Sequence, residues 1–248
     1  MGSKELFLAT ETEVHLNGKT LFLLSARDGT LANMPLVLPN GASIASNGLA
    51  NITSHSSPFP EAYAIKNNTP TNNNSQVNIY LGTGSGKNDL TNMLLTDGPD
   101  CTIESWVYLV NTSGYDQIFG NWENADNIGA GAFQWYLSGN IMNIQFGSQH
   151  YVGVNAIPIN VWRHIAWVRH IGKWHTFIHG NIDNAGGGAL DTVSNLQPNV
   201  GFLKTQSTQS FGFRSYIDEF RIVTGKALYT GSTYTVPTER FPNQVYLD

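Results

Sequence analysis

The sequence predicts an all-β protein in which two antiparallel sheets pack face to face, with little helix. Short apolar runs alternate with polar positions at period two and are separated by Gly, Asn and Pro turns, as in β-sandwiches. No segment keeps the i, i+3, i+4 apolar spacing of a helix over three turns. The 248 residues fit one large domain, because all-β domains often exceed about 200 residues without dividing.

The first part of the chain contains little predicted regular structure. Residues 1–19 hold the densest local charge and end near Asn17-Gly18, a tight-turn dipeptide, so we expect an arm or an opening hairpin. Residues 21–24 follow as a short buried strand. From Asn33 to about Gln76 five prolines and an Asn-rich run predict irregular loops.

Strands at short intervals are predicted for the rest of the chain. Ser138-Gly139-Asn140 and Ile171-Gly172-Lys173 have the composition of hairpin turns, so the strands on either side of each turn should pair antiparallel. Trp106, Trp162 and Phe220 are assigned to the core. The predicted strands are residues 77–81, 102–110, 117–120, 133–137, 141–146, 161–171, 174–179, 200–203 and 216–223.

Composition argues against several classes of protein. Charged residues make up 12 %, about half the usual share, and the net charge is −5, so the clustered cations of a nucleic-acid-binding surface are missing. No run approaches the ~18 apolar residues of a membrane span, and the N-terminal apolar run is short for a signal peptide, so we expect synthesis in a cytoplasm. The single cysteine, Cys101, excludes an internal disulfide and is interpreted as a small packed hydrophobe.

Three segments carry a resemblance to a known family. They are Thr102 to Leu109 (TIESWVYL), Trp162 to Arg169 (WRHIAWVR) and Tyr216 to Val223 (YIDEFRIV), the last followed by TGKALYT. Together they resemble the concanavalin A-like jelly rolls, in particular the laminin-G-like domains of bacteriophage structural proteins. The resemblance implies a jelly-roll domain over residues 20–240, preceded by the arm at 1–19 and followed by a tail at 241–248.

What the resemblance implies about function is binding or assembly without catalysis. The leading hypothesis is a phage virion component, such as a capsid decoration, fibre or tail-associated protein, located in the virion after synthesis in the host cytoplasm. Its partners would be other virion proteins and surface glycans, and a homo-oligomer is a fair default. Residues Lys4, Leu6 and Phe7 of the arm, and the tail after Pro237, would then serve in docking.

A free carbohydrate-binding lectin is the alternative hypothesis. Sugars stack on aromatic rings, while amides and carboxylates bind their hydroxyls. The loop Asn121 to Asn127 (NWENADN) combines both kinds of group, and Gln134-Trp135-Tyr136 and Gln149-His150-Tyr151 add more. The competing interpretation is that Trp122 and Trp135 cover the core. The candidate sugar-binding residues are Asn121, Trp122, Asn124, Asp126, Trp135 and Tyr151.

A glycoside hydrolase is the third hypothesis, and the sequence argues against it. Hydrolysis needs two carboxyl groups about 5 to 9.5 Å apart across a cleft. The Glu-x-Asp-x-x-Glu motif of the glucanases in this superfamily is absent. Asp218 and Glu219 are adjacent and are expected to point to opposite faces of a strand, while Glu104 stands alone in its strand. We therefore expect no enzymatic activity.

Two metal sites remain as hypotheses. Asp218 lies among apolar residues, so its carboxylate needs a cation, a donor or an ion pair. The resemblance implies that such an Asp can hold a structural calcium ion together with carbonyl groups of a turn near Asp28-Gly29. Four histidines fall on one predicted hairpin, but His164 and His170 would lie ~20 Å apart along their strand, too far to share one ion. A cross-strand zinc pair competes with a core His164 bonded to backbone or Tyr groups.

Overall fold

The computed structural model describes twelve stretches of the chain. Within them every regular element is a β-strand and no residue is helical, so this part of the chain offers no helix that could cross a membrane. The all-β prediction is confirmed. The described stretches are residues 18–27, 36–37, 43–47, 50–60, 63–67, 76–80, 98–110, 115–120, 133–146, 149–187, 199–202 and 215–242.

The strands of the described stretches are numbered in chain order. The first six are β1 (Lys19–Leu24), β2 (Leu36–Val37), β3 (Ser43–Asn47), β4 (Ala50–Ser54), β5 (Tyr63–Asn67) and β6 (Gln76–Tyr80). The next five are β7 (Cys101–Tyr108), β8 (Tyr115–Gly120), β9 (Phe133–Ser138), β10 (Ile141–Phe146) and β11 (Gln149–Ala156). The last five are β12 (Trp162–His170), β13 (Lys173–Ile178), β14 (Asn181–Gly187), β15 (Asn199–Phe202) and β16 (Tyr216–Thr224).

These strands form two antiparallel sheets, as the sequence predicts. The nine-stranded sheet has the order β14-β13-β12-β7-β16-β1-β2, and β5 pairs with both β16 and β4 beside this path. The seven-stranded sheet has the order β11-β10-β9-β8-β15-β6-β3. Neighbours in the sheets are often distant in the chain, which is the connectivity of a jelly-roll sandwich.

Tight turns close the β9–β10 and β12–β13 hairpins and fix their register. Gly139 and Asn140 have φ values of 56° and 68°, which confirms the predicted turn between β9 and β10. Ile171 and Gly172 close the β12–β13 hairpin in the same way, at 50° and 70°. Two consecutive residues with positive φ match the right-handed twist of the paired strands. Register determines which side chains of each strand face the core.

The core lies between the inner faces of the two sheets. Trp135 and Phe133 of the seven-stranded sheet and Trp167 and Phe220 of the nine-stranded sheet are fully buried there. The ring centroids of Phe119 and Phe220 lie 5.6 Å apart and join the two layers. Each large apolar side chain buried in this way contributes about 1.5 to 3 kcal/mol, so this layer supplies most of the stabilisation.

A further layer covers part of the outer face of the nine-stranded sheet. The segment 225–242, which follows β16, packs Tyr229 and Tyr234 against Phe177, and Phe241 against Leu23. Polar and charged side chains are buried beneath it, among them Glu104, Asp218 and Glu219. From the sequence, the tail after Pro237 is expected to serve in docking. Its described part, residues 238–242, contacts the protein's own sheet through Arg240 and Phe241.

The prediction of irregular structure from Asn33 to Gln76 is wrong for residues 36–37, 43–47, 50–54 and 63–67, whereas residues 55–60 lack regular structure as predicted. That region contributes β2, β3, β4 and β5. In β5 the buried residues Ala64 and Ile65 are consecutive and stand between the exposed Tyr63 and the half-buried Lys66, so the sequence shows no period-two pattern there. The edge strands β11 and β14 also escaped prediction, because edge strands carry few buried apolar positions.

Candidate functional site

The candidate docking residues and the loop of candidate sugar-binding residues lie outside the described stretches. These are Lys4, Leu6, Phe7, Asn121, Trp122, Asn124 and Asp126.

Trp135 and Tyr151, the two remaining sugar-binding candidates, point toward the core. The Trp135 side chain has 0 % exposed surface, and Tyr151 is half-buried against the same core cluster. Neither ring is presented to a sugar on the outer surface. Because side chains alternate along a strand, their neighbours Gln134, Tyr136 and His150 lie on the opposite, outward face of the sheet.

That outward face carries two cross-strand rows of polar and aromatic side chains. In the first row, Gln117 of β8 lies opposite Tyr136 of β9, which lies opposite Asn143 of β10. In the second row, Gln134 of β9 lies opposite Gln145 of β10, which lies opposite His150 of β11. We call the six residues Gln117, Gln134, Tyr136, Asn143, Gln145 and His150 the amide face.

Hydrogen bonds hold several of these side chains in fixed orientations. The Gln134 Nε2 donates to Gln145 Oε1 at 3.1 Å. The Asn143 Nδ2 donates to the Ile141 carbonyl at 2.8 Å, so its Oδ1 faces His150 Nε2, 2.8 Å away. His150 Nε2 must therefore carry a proton, since an amide oxygen only accepts. The same nitrogen lies 2.7 Å from the Tyr136 hydroxyl.

Gln117 differs from the other members because its amide has no partner. The side chain is 2 % exposed, and neither Oε1 nor Nε2 makes a hydrogen bond. An unpaired buried amide is destabilising by roughly 1 to 3 kcal/mol, so such groups are rare in folded proteins. A ligand hydroxyl that reached Gln117 would remove this penalty.

Exposure increases across the amide face toward the sheet edge. Gln117 and Asn143 are almost fully buried, Gln145 is half-buried, and His150 on the edge strand β11 is exposed. Although His150 is exposed overall, part of its ring is shielded from water, and this desolvation lowers its pKa and favours the neutral ring. The accessible side of the face is therefore uncharged, and a ligand would approach from β11.

The chemistry of the amide face suits hydroxyl groups. Each Asn or Gln amide offers two N–H donors and an oxygen acceptor, and a sugar hydroxyl can use both kinds of group. The Tyr136 and His150 rings are nearly parallel, with centroids 5.9 Å apart. Tyr136 is only 5 % exposed, so His150 is the ring of this pair that is accessible to the C–H groups of a ligand. No member of the face carries a carboxyl group, so the face itself holds no pair of catalytic acids.

The adjacent acids Asp218 and Glu219 lie elsewhere, and the prediction that they point to opposite faces is wrong. Glu219 has a φ of 49°, and the register of β16 against β7 shifts between Asp218 and Arg221. This bulge brings both carboxylates to the outer side of the nine-stranded sheet. Arg240 Nη1 lies 3.0 Å from Asp218 Oδ2 and 2.8 Å from Glu219 Oε1.

Protein donors surround the Asp218 carboxylate, the candidate calcium ligand. Oδ1 accepts from the backbone N–H groups of Ala26 and Glu219, both at 2.9 Å, and Oδ2 accepts from Arg240 and, at 3.3 Å, from Ser57. The described stretches contain no group of three or more His, Cys, Asp or Glu side chains arranged for a metal. The turn at residues 28–29 lies outside them. Calcium stays a prediction.

Burial raises the pKa of the Asp218 carboxyl, although Arg240 acts against this. The neighbouring charge of Glu219 adds to the increase. Because Asp218, Glu219 and Arg240 are all at least largely buried, the cluster is held together by direct ion pairs.

A second buried cluster surrounds Glu104 under the same C-terminal segment. Arg221 Nε donates to Glu104 Oε1 at 2.7 Å, and the Tyr229 hydroxyl donates to Oε2 at 2.5 Å. His164 Nε2 lies 3.3 Å from Oε2, and its Nδ1 lies 2.5 Å from the Tyr234 hydroxyl. The interpretation of His164 as a core residue bonded to Tyr is therefore confirmed.

The other histidines of the hairpin have separate surroundings. His170 Nδ1 pairs with Asp100 at 2.9 Å, and His179 Nδ1 accepts from the His164 backbone N–H at 3.4 Å. Cys101 is buried, which raises the pKa of its thiol to about 12 and leaves it unreactive.

Trp162, assigned to the core from the sequence, is only half-buried and lies on the outer face of the nine-stranded sheet. Its ring neighbours there are His55 and Tyr108. Trp106 and Phe220 are buried as predicted, at 6 % and 0 % exposure.

Similar folds occur in several solved structures. Domain 4 of AbnA, an extracellular arabinanase of Geobacillus stearothermophilus in complex with arabinotriose, has a TM-score of 0.54 and 14 % identity, over 85 % of this chain and 95 % of that one. The binding domain of botulinum neurotoxin DC, in complex with rat synaptotagmin II, has a TM-score of 0.57 and 11 % identity. The match covers 85 % of this chain and 49 % of the toxin chain.

A structure of botulinum neurotoxin type C, whose cell entry depends on interaction with two ganglioside molecules, has a TM-score of 0.55 and 13 % identity. The match covers 89 % of this chain and 50 % of the toxin chain. The chain thus spans about half the length of the toxin chains. No protein-family model and no curated protein matches the chain. At these identities the likeness establishes the all-β sandwich fold alone.

Proposed function

We propose that this protein is a lectin-like, non-enzymatic domain that binds a neutral glycan on the amide face. The single observation that carries this proposal is the alignment of six amide, phenol and imidazole side chains in two rows across four neighbouring strands. The unpaired amide of Gln117 supports it, because a bound hydroxyl would supply the missing partner. The similar arabinanase domain, solved with a trisaccharide, is a parallel on the same fold.

Glycan-array screening followed by calorimetry tests the proposal. Asn143→Ala and Gln134→Ala each remove one amide from the face without changing the core, and each should weaken binding at least about fivefold, the equivalent of about 1 kcal/mol. Lys173→Gln, at an exposed hairpin position outside the face, is the control and should bind like the wild type. Equal binding by all three variants would refute the assignment of the amide face.

The absence of a carboxylate from the amide face supports a function without hydrolysis. The buried pair Asp218 and Glu219 shares one Arg240 guanidinium and is not open to solvent, which gives it no water-filled cleft. Incubating the protein with the glycans that it binds, and measuring reducing ends, tests this point. Release of reducing sugar that survives an Asn143→Ala substitution would identify an enzymatic site elsewhere.

A virion structural or accessory protein is the second candidate function, and glycan binding would serve attachment there. The resemblance of the segment Tyr216 to Val223 to phage laminin-G-like domains supports it, together with the low charged content of 12 %. In this second proposal the domain is a concanavalin A-like jelly roll that is located in the virion. Its partners there are capsid or tail proteins. Replacing Lys4, Leu6 and Phe7 together by Ala should abolish incorporation into particles, which immunoblotting of purified virions would measure.

A further inference from the structure

A second row of side chains crosses the outer face of the other, nine-stranded sheet. Lys66 of β5 lies opposite Tyr216 of β16, Tyr216 lies opposite Tyr108 of β7, and Tyr108 lies opposite Trp162 of β12. We call these four residues together with His55 the aromatic row. It belongs to a different sheet from the amide face.

The rings of the aromatic row are in contact with each other but remain accessible. His55 stacks on Tyr216 with centroids 3.7 Å apart, and it meets Tyr108 edge-on at 4.7 Å. Trp162 lies 5.7 Å from Tyr108. All four rings are half-buried, so each keeps part of its surface in water. Clustered, half-exposed aromatic groups are typical of interaction sites, since burying them elsewhere in the fold would be more stabilising.

Lys66 gives this row a positive charge that no described carboxylate neutralises. Its Nζ lies 4.9 Å from the centre of the Tyr216 ring and 3.3 Å from the Tyr216 hydroxyl, which is its hydrogen-bond acceptor. Within the described stretches, the salt bridges formed by Asp and Glu involve other cations. A half-buried ammonium beside flat rings attracts a ligand that has both an anion and an apolar surface.

We infer that the aromatic row is a second binding site, whose ligand is a sugar that bears a carboxylate. A pyranose ring stacks its C–H face on an aromatic ring, and its carboxylate then accepts a charge-assisted hydrogen bond from Lys66. The charge on Lys66 distinguishes this site from the amide face, whose side chains are neutral amides, a phenol and an imidazole. The inference does not depend on the amide face binding a glycan.

Calorimetry with two carboxylate sugars, hexagalacturonate and sialyllactose, tests the inference against their neutral counterparts, a galactose oligomer and lactose. At least one carboxylate sugar should bind more tightly than its counterpart, with an affinity that falls as salt is raised. Lys66→Met keeps the apolar stem and removes the charge, and should weaken this binding about tenfold, which corresponds to about 1.4 kcal/mol. Lys173→Met is the matched control and should have no effect.

Trp162→Ala should weaken the same binding, with folding checked by near-ultraviolet circular dichroism. The inference is overturned if neither carboxylate sugar binds better than its neutral counterpart, or if Lys66→Met binds like the wild type. If this face binds a protein instead, Lys66→Met should weaken the binding of that protein and leave sugar binding unchanged. That result would also overturn the inference. Asn143→Ala must leave carboxylate-sugar binding unchanged, while it tests the amide face separately.

Discussion

Asp218 and Glu219 are consecutive in the chain, yet both of their carboxylates contact the same nitrogen of Arg240, at 3.0 Å and 2.8 Å. The positive φ of Glu219 makes this possible, because it turns one residue of β16 out of the regular alternation. Both side chains have 0 % exposure, so Arg240 compensates two buried negative charges at once, while Arg27 pairs at 3.5 Å with Glu219 alone.

Replacing Arg240 should therefore be strongly destabilising. Arg240→Gln leaves two buried carboxylates without their shared cation, and the free energy of unfolding should fall by about 3 to 5 kcal/mol. Urea denaturation monitored by tryptophan fluorescence measures this change. Glu239→Gln, at the exposed neighbouring position, is the control and should change stability by less than about 0.5 kcal/mol. A loss below about 1 kcal/mol in Arg240→Gln would contradict the role given to this cluster.

Chelation of calcium should not change the melting temperature. The Asp218 oxygens already accept from Ala26, Glu219, Ser57 and Arg240, so a calcium ion would have to displace the guanidinium group. Thermal melts of protein purified with calcium, with and without excess chelator, measure the effect. A clear drop in the melting temperature with chelator, restored by calcium but not by magnesium, would establish a structural calcium site instead.

Acid should destabilise the protein through Glu104. Burial alone would raise the pKa of this carboxyl, but the charge of Arg221 and the donors His164 and Tyr229 hold it at about 2, below the usual 4.5. Since the folded-state pKa is depressed, the stabilisation is present above about pH 4.5 and is lost as the pH falls toward 2.

The slope of stability against pH isolates this contribution. In Glu104→Gln, the free energy of unfolding should fall less steeply between about pH 4.5 and 2 than in the wild type, whatever its value at neutral pH. Urea denaturation at a series of pH values measures the slope. Asp100→Asn is a useful comparison, because Asp100 is a partly exposed acid paired with His170. Parallel curves for wild type and Glu104→Gln would show that Glu104 does not carry the acid dependence.

The sequence predicts the sandwich because its central strands carry apolar residues on both faces and are bounded by turn residues, as in Trp162–His170 and Cys101–Tyr108, which are buried almost throughout. For the candidate site, the residue chosen from the sequence is wrong by one position. Trp135 attracts attention as a sugar-stacking group, but period-two alternation places that ring in the core, and the neighbouring Gln134 and Tyr136 on the outward face. Large aromatic residues are enriched in both environments, so residue type alone does not decide between them.

Asn143 and Gln145 could have been found from the sequence. In Ile141–Phe146 both alternate with the apolar residues Met142, Ile144 and Phe146, which is the pattern of a strand with one polar face. Gln117 could not, because a register shift between Gln117 and Phe119 interrupts the alternation of β8. The aromatic row was equally hidden, since it joins strands that are distant in the sequence and adjacent only in the sheet.

Asp183 ties the edges of the two sheets together. From β14 its carboxylate accepts from the backbone N–H groups of Val154 at 3.1 Å and Asn155 at 2.7 Å in β11. Gly153 makes this approach possible, because a Cβ at that position would overlap Asp183 Oδ2. Asp183→Ala should lower the free energy of unfolding by about 2 to 3 kcal/mol, since two backbone donors lose a charged acceptor.

Hydrogen exchange then distinguishes a clamp between the sheets from a general loss of stability. In Asp183→Ala and in Gly153→Ala, the amides of Val154 and Asn155 should lose protection before those of central strands such as β7, because only the edge contact is broken. Asn181→Ala, in the same strand but exposed, should leave both amides protected. Uniform loss of protection across β7 and β11 in the two variants would mean that Asp183 stabilises the whole fold and not the contact between the edges.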